Sequence, residues 1–337
     1  MAGTTIDWFK DFGLPVLITV TAAAIIGIPI WLKKRAAKEP DAKPDVVPLE
    51  QYKSLAKQSG VTEEKLKRFH DVLKAHDIPP EQFESRVEEM LNREQETLER
   101  LEATANVNAE TDQLRKEAEE AIREGDTDKA MHLLHQAEAR DTQAAVGLDD
   151  EADDRRRAAS QAAYAQGELA FNRLDYTAAA NHLERAAGLL PEADVVGRGE
   201  ALNRVGVVFF EMAKYPEAEI AFNEARALLE EALPPNDPEL ATVLNNLAQL
   251  YQDTDRPREA EPLMVRALKI HEASLGPNHP SVAIRLNNLA QLYQATDRLT
   301  EAEPLLVRAL GITEASLGPD HPNTVQFRDN LARLREK

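Results

Sequence analysis

The chain has 337 residues, 29% of them charged and 43% hydrophobic, with a formal net charge of −19. This acidic balance excludes a general affinity for nucleic acid, which needs clustered Lys and Arg to displace counterions from phosphates. No cysteine is present, which excludes disulfides, thiolate catalysis and cysteine metal ligands. Aromatic residues make up only 5%, while Ala, Leu, Glu and Arg recur throughout, and this composition favours a mostly helical chain.

An uncharged segment follows the short N-terminal tail (residues 1–13). Residues 14–32 (LPVLITVTAAAIIGIPIWL) contain no charged residue, and a helix that spans a bilayer needs about 20 apolar residues. The chain's two tryptophans, Trp8 and Trp31, flank the segment as interface anchors. A buried core helix or a cleaved signal peptide is the alternative, but a core helix rarely lacks a polar stripe and a signal peptide begins with basic residues. We therefore predict a transmembrane helix at 14–32.

Basic residues follow this segment closely, whereas only Lys10 precedes it. They are Lys33, Lys34, Arg35, Lys38 and Lys43. The positive-inside rule then places the N-terminus outside and everything after residue 32 in the cytoplasm. The expected location is a membrane, with a single pass, and specifically a bacterial inner membrane.

Two further regions precede the repeats. Residues 33–50 contain three prolines and alternating charges without an apolar period, and we interpret them as a linker. Residues 51–110 are predicted to form a helical stalk region, interrupted at Pro79 and Pro80. Its second helix carries an apolar stripe: Phe83, Val87, Met90, Leu91, Leu98 and Leu101. The stripe can form a coiled coil with a second copy or fold back on the first repeat, and fewer than three clean heptads favour the second alternative.

The C-terminal part of the chain is repetitive. LNNLAQLYQDTDRPREAEPLMVRAL (244–268) recurs almost unchanged at 286–310, a separation of 42 residues, and the spacer LGPNHP (275–280) recurs as LGPDHP (317–322). Small residues return at the same two positions of each copy, for example Ala248 with Ala260 and Gly206 with Ala218. Such a period indicates a solenoid, because one repeat cannot bury its own apolar face.

These motifs resemble the tetratricopeptide repeat (TPR), and the 42-residue copies resemble its kinesin-light-chain type. The resemblance covers roughly residues 111–337 and implies an all-α solenoid of helix-turn-helix repeats. The first copy lacks the aromatic of its first helix and lies 49 residues before the next, so the gap is either an extended helix or a connector. The predicted organisation is a degenerate repeat at 111–144, a connector at 145–159, repeats at 160–193, 199–232, 233–274 and 275–316, and a capping helix at 317–337.

In proteins with this repeat, the face made by the first helix of each repeat lines a concave groove that takes peptide ligands. Amides recur on that face of this chain, and primary amides both donate and accept hydrogen bonds, so they can bind the backbone of an extended peptide. The alternative is a solvated polar face that keeps the solenoid soluble. The predicted partner-binding groove comprises Tyr164, Phe171, Asn203, Phe210, Asn245, Asn246, Gln249, Gln252, Asn287, Asn288, Gln291, Gln294 and Asn330.

Other candidate chemistry is weak. His132 and His135 form an H-x-x-H on a helix without an evident third ligand, so we predict no metal. His279 and His321 recur with the period and are interpreted as cap residues. Phosphate-binding loops and nucleophile elbows are missing from the sequence, so we predict no enzyme and no cofactor.

The predicted function is therefore a membrane-anchored scaffold or adaptor. It binds a protein partner, an extended peptide or a helix, in its groove and recruits it to a membrane complex. The alternatives are a self-associating structural platform, which makes the protein a homo-oligomer, and an accessory subunit of a membrane complex.

Overall fold

The computed structural model describes residues 61–79, 82–104, 109–145 and 150–336. The predicted N-terminal tail, transmembrane helix and linker lie outside these residues. Within them, no helix is long and apolar enough to cross a membrane. The described chain forms thirteen α-helices and no strand: α1 (Glu63–Ala75), α2 (Phe83–Ala103), α3 (Ala109–Glu124), α4 (Thr127–Ala144), α5 (Asp150–Asn172), α6 (Tyr176–Leu189), α7 (Val195–Glu211), α8 (Tyr215–Ala232), α9 (Pro238–Asp253), α10 (Pro257–Leu275), α11 (Pro280–Ala295), α12 (Leu299–Ser316) and α13 (Pro322–Arg335).

From α3 onward the helices pack in pairs, and the second helix of each pair packs against the first helix of the next. The chain therefore builds an all-helical solenoid, as the sequence predicts. Its largest core cluster runs through α5 to α11, which shows that neighbouring repeats share one continuous apolar interior. Stacking of this kind buries faces that a single helix pair leaves exposed.

Small residues allow the two helices of a repeat to approach closely. A Cβ atom built on Gly206 would lie 2.6 Å from the ring of Phe222, and one on Gly167 would lie 2.6 Å from Leu183. In the later repeats Ala248 and Ala290 take the corresponding position, and both are fully buried. The recurring glycines and alanines thus mark helix crossings, where a larger side chain has no room.

Polar side chains begin several helices. The Nδ1 atoms of His279 and His321 accept hydrogen bonds from the backbone amides of Ser281 and Asn323, each at 3.2 Å. Asp237 caps α9 in the same way at 2.9 Å. The prediction that the two histidines are cap residues is confirmed.

An arginine in the turn of each 42-residue repeat links it to its neighbour. Arg256 stacks on Tyr251 with its Cζ atom 4.1 Å from the ring centroid, and it pairs with Glu219 of the preceding repeat at 2.7 Å. Arg298 repeats both contacts with Tyr293 and Glu261. These clamps fix the register between successive repeats.

The connector predicted at 145–159 differs from the structure, because residues 150–159 form the first half of the long helix α5. Acidic residues in its first turn favour a helix N-terminus. Ion pairs at i and i+3 or i+4 join Arg155 to Glu151 and Arg156 to Asp153. Ala158 and Ala159 are fully buried, so this segment also packs. The sequence left two alternatives for the gap between the first two repeats, an extended helix or a connector. Residues 150–159 form an extended helix.

The helices of the predicted stalk region fold back on the solenoid. Lys65 of α1 donates a hydrogen bond from Nζ to the carbonyl oxygen of Ile122, at the end of α3, at 2.9 Å. Val87 and Met90 of α2 pack against α1, while Leu98 and Leu101 pack against α3 and α5. The apolar stripe of α2 is therefore buried within the chain, and it does not form a coiled-coil seam.

Candidate protein-binding site

The first helices of successive repeats, α5, α7, α9, α11 and α13, adjoin one another and form what we call the first-helix face. Three hydrogen bonds between asparagine side chains run along this face. Asn246 donates from Nδ2 to Oδ1 of Asn203 at 3.0 Å, and Asn288 donates to Asn245 at 3.2 Å. Asn330 donates to Asn287 at 2.9 Å. We call this series the asparagine ladder.

The asparagines predicted to line the groove bond to one another in this ladder, so their side chains hold the repeats together. Asn246 has no exposed surface and Asn245 only 1%. Since a buried amide must find a partner, each asparagine holds its neighbouring repeat at one register. Of the predicted groove residues, the buried ones are Phe171, Asn203, Phe210, Asn245, Asn246, Gln249, Asn287 and Asn288, and the partly exposed ones are Tyr164, Gln252, Gln291, Gln294 and Asn330.

A row of glutamines lies beside the ladder. Gln252, Gln291 and Gln294 are partly exposed on α9 and α11, whereas Gln249 is buried and donates to Asp253 at 3.1 Å. Among the described residues, the Nε2 atom of Gln294 is buried and has no hydrogen-bond partner. An unpaired buried donor costs about 1–3 kcal/mol, so a rotation of this amide toward an acceptor on a ligand would recover free energy. We call Gln252, Gln291 and Gln294 the glutamine row.

Two aromatic residues of the predicted groove, Phe171 and Tyr164, are covered by α2. Arg93 of α2 stacks on Phe171 with its Cζ atom 4.6 Å from the ring centroid, and its Nε atom donates to Oδ1 of Asn172 at 2.7 Å. Two turns later, Arg100 stacks on Tyr164 at 4.6 Å and pairs with Glu200 of α7 at 3.0 Å. The helix α2 thus lies against the first-helix face of α5 and α7.

A buried ion pair completes this part of the face. Arg204 of α7 donates from Nε and Nη2 to both carboxylate oxygens of Glu168 on α5, at 2.5 and 2.8 Å. The same guanidinium also stacks on Phe171, with its Cζ atom 4.4 Å from the ring centroid. Arg204 occupies the position that Asn246 and Asn288 hold in later repeats, so an ion pair replaces the amide contact where α2 is seated.

Burial and like charges perturb the carboxylates at this contact. Burial, with the nearby carboxylate of Glu168, raises the pKa of Glu96 to about 7. Burial also raises the pKa of Glu239, at the start of α9, to about 7, with Glu200 contributing in the same direction. Charged groups are therefore desolvated along the whole contact between α2 and the solenoid, which costs free energy unless each is fully paired.

The charged residues of this site were not predicted from the sequence; they are Arg93, Arg100, Glu168, Glu200 and Arg204. Arg93 and Arg100 carried one usable signal, since they lie seven residues apart on the polar side of an amphipathic helix. Their partners lie on two other helices, and sequence spacing does not bring these together.

The H-x-x-H pair does not converge on a common point. His132 contacts Gln136 at 2.7 Å, whereas His135 lies 4.0 Å from Glu138. In the part of the chain that the structure describes, no group of three or more His, Cys, Asp or Glu side chains is placed to hold a metal ion.

The fold and this face define a helical-repeat scaffold with a polar inner surface. Residues 197–273, 239–315 and 285–337 match the sequence profile of the family described as Tetratricopeptide repeat. The C-terminal part of the chain therefore carries tetratricopeptide repeats, a fold that is generally a non-catalytic scaffold for protein–protein interaction. Comparison with curated proteins gives no match.

Solved structures share the fold. The chain is similar to BtubC (BKLC) from P. vanneervenii, with a TM-score of 0.53 and 20% identity over 61% of this chain and 84% of that one. It is similar to a Podosopora anserina putative kinesin light chain with nearly identical TPR-like repeats, with a TM-score of 0.50 and 20% identity over 62% of this chain and 99% of that one. The apo form of RapI gives a TM-score of 0.53 at 15% identity, over 67% and 84% of the two chains. At these identities the likeness concerns the fold alone.

Proposed function

We propose that the protein is a membrane-anchored adaptor that binds a protein partner on its first-helix face and recruits it to a membrane complex. The observation that carries the proposal is the glutamine row. These amides lie on the face that the repeats present together, and they take no part in the asparagine ladder that holds the repeats in register. A row of such donors and acceptors suits the backbone of an extended peptide.

The membrane part of the proposal rests on the sequence. Residues 14–32 are uncharged and of spanning length, and the basic residues that follow them favour a cytoplasmic solenoid. Tethering confines the first-helix face to a thin layer beside the bilayer. The effective concentration of a partner that already belongs to a membrane complex then rises without any new contact.

The test combines crosslinking in native membranes with a triple variant, Gln252→Ala, Gln291→Ala and Gln294→Ala. Because these side chains stand outside the asparagine ladder, the solenoid should keep its thermal stability. We expect the variant to capture at least tenfold less of the partner than the wild-type chain does. Replacing Asn245 or Asn287 would be a poorer design, since both accept ladder hydrogen bonds and their loss would loosen the fold.

A matched control replaces three glutamines of the α3–α4 pair, Gln113→Ala, Gln136→Ala and Gln143→Ala. It removes the same number of amides away from the glutamine row and should leave capture unchanged. Equal capture by the wild-type chain and the glutamine-row variant would show that this row does not bind the partner.

Self-association receives less support from the structure. The apolar stripe of α2, which was the candidate coiled-coil seam, is buried against α1, α3 and α5. Among the described residues, the large apolar side chains that remain exposed are Ile220, Val307 and Val325, and they lie on three different helices. A platform built by α2 would first have to expose its own core.

A further inference from the structure

Two arginines on the face of α2 that contacts α5 and α7 match the aromatic residues beneath them in register. Arg93 and Arg100 lie seven residues apart on α2, and Phe171 and Tyr164 lie seven residues apart on α5. Because Arg93 stacks on Phe171 and Arg100 on Tyr164, the two helices run antiparallel, and both spacings correspond to about 10 Å along a helix. The aromatic residues of α5 therefore match two arginines that lie seven residues, or about two turns, apart on the helix that covers them.

Apolar contacts add a second element to this recognition. Leu98 and Leu101 of α2 are buried in the cluster that contains Ala162, Ala165 and Leu169 of α5. Counted from Arg93, the two leucines lie at i+5 and i+8. An occupant of this surface is thus an amphipathic helix that combines arginines with leucines at defined spacings.

The fit of α2 is incomplete where the charges are buried. Within the described part of the chain, the Nη1 atoms of Arg93 and Arg204 and the Nε atom of Arg86 are buried and have no hydrogen-bond partner. Glu96 lies close enough to Glu168 for the two carboxylates to repel each other. Of the three arginines only Arg204 belongs to the receiving surface. A helix of the same arginine pattern that offers Arg204 an acceptor, and has no carboxylate at the position of Glu96, would bind more tightly than α2 does, so the site is poised for exchange.

We propose that the surface formed by α5 and α7 is a recognition site for an amphipathic helix with arginines at i and i+7 and leucines at i+5 and i+8. The helix α2 fills it in the resting chain, and a partner helix of the same pattern exchanges with α2. This inference rests on the proposed function, since it assigns the class of partner to one part of the first-helix face.

The probe is a labelled synthetic peptide of residues 82–104, added to the full chain in lipid nanodiscs. The receiving chains are the wild type and the double variant Arg93→Ala, Arg100→Ala, whose α2 has lost both stacked guanidinium groups. We expect the peptide to bind the variant chain at least tenfold more tightly than the wild-type chain, where α2 competes. A peptide that carries the same two substitutions should bind neither chain.

A second measurement follows α2 directly. The chain has no native cysteine, so Glu99→Cys on the exposed side of α2 and Asn236→Cys beside α9 accept spin labels specifically. Excess wild-type peptide should lengthen the distance between the labels in the wild-type chain. If the double variant unfolds, Arg93→Lys with Arg100→Lys is used instead, because lysine keeps the charge and loses the planar stacking.

The matched control is Arg140→Ala with Arg335→Ala, which removes two exposed arginines outside this surface. It should bind the peptide as weakly as the wild type does. Equal binding to the wild-type and double-variant chains, or no binding to either, would overturn the inference. Since the glutamine row is tested by partner capture and not by this peptide, either proposal can fail while the other stands.

Discussion

Asn246 of α9 donates a hydrogen bond from its side-chain amide to Oδ1 of Asn203 on α7, the neighbouring repeat, at 3.0 Å. The bond repeats twice along the solenoid, at 3.2 Å between Asn288 and Asn245 and at 2.9 Å between Asn330 and Asn287. Asparagine disfavours helix formation, yet it recurs here in mid-helix because its amide hydrogen-bonds to the next repeat, which an apolar side chain cannot do.

The asparagine ladder predicts a stability cost at Asn246. We expect Asn246→Ala to lower the free energy of unfolding by about 1–3 kcal/mol, because Oδ1 of Asn203 stays buried and loses its donor. Urea unfolding followed by circular dichroism measures the change. The control is Asn92→Ala, an exposed asparagine of α2, which should change the value by less than about 0.5 kcal/mol. An equal effect of the two substitutions would mean that the ladder adds nothing to stability.

A glycine-to-alanine substitution should have opposite effects at Gly206, which lies at a helix crossing, and at Gly188, which is exposed. Gly206→Ala places a Cβ atom 2.6 Å from Phe222, and we expect a loss of about 1–3 kcal/mol from overpacking. Gly188→Ala, on the exposed side of α6, meets nothing within 4 Å and should gain about 0.5–1 kcal/mol from helix propensity. Thermal unfolding of the two variants gives the comparison. A stabilised Gly206→Ala chain would show that the crossing is looser than the structure indicates.

Arg285 breaks the apolar pattern of its repeat position, which Val243 and Phe327 occupy in the neighbouring copies. Its side chain is only 3% exposed, and burial lowers its pKa to about 10. Its Nε and Nη1 atoms have no hydrogen-bond partner among the residues that the structure describes. We expect Arg285→Met to raise the free energy of unfolding by about 1–4 kcal/mol, since it removes a desolvated charge at similar volume.

Urea unfolding also checks this substitution, with Arg328→Met on the exposed side of α13 as the control. Lower stability of Arg285→Met would indicate that the guanidinium has an acceptor in solution.

The contact between α2 and the solenoid should weaken as the pH rises. Burial raises the pKa values of Glu96 and Glu239 from 4.5 to about 7 when α2 is docked, so the docked form binds more protons between these values. The stabilisation that these two carboxyl groups give to the docked form is fully present below about pH 4.5. It is lost as the pH rises through about 7. Glu168, Arg204, Arg100 and Arg93 face Glu96, while Glu200, Arg100, Asp237 and Glu96 face Glu239.

Hydrogen exchange of the α2 amides, corrected for intrinsic rates, measures this effect at pH 5 and pH 8. Protection should fall between the two pH values in the wild-type chain and fall less in the variant Glu96→Gln, Glu239→Gln. Glu94, whose pKa burial also raises to about 7 beside Lys65, remains in that variant and accounts for a residual change. Protection that is independent of pH in the wild type would contradict the assignment.

The solenoid could be predicted from particular residues. The 42-residue recurrence, the small residues at Gly206 and Ala260 and the caps at His279 and His321 are local signals, and each depends on contacts within one repeat or with its immediate neighbour. The extent of α5 was harder to predict, because acidic and basic residues at 150–157 suit both a solvated connector and a helix whose charges pair at i and i+3 or i+4.

The functional surface was predicted only in part. The amide pattern led to the first-helix face, but it did not separate Asn246, which is committed to its neighbour, from Gln252 and Gln291, which are partly exposed. Both kinds of residue recur with the same period, and only the direction of a side chain relative to the next repeat distinguishes them.

By itself, the sequence determined the repeat, the helical class and the hydrophobic segment at 14–32, because these depend on periodicity and composition. Only the tertiary structure decided that α2 lies over Tyr164 and Phe171. That contact joins residues about seventy positions apart in the chain. Its energy comes from stacking and from desolvated ion pairs, and these depend on a three-dimensional placement that the seven-residue spacing of Arg93 and Arg100 does not reveal.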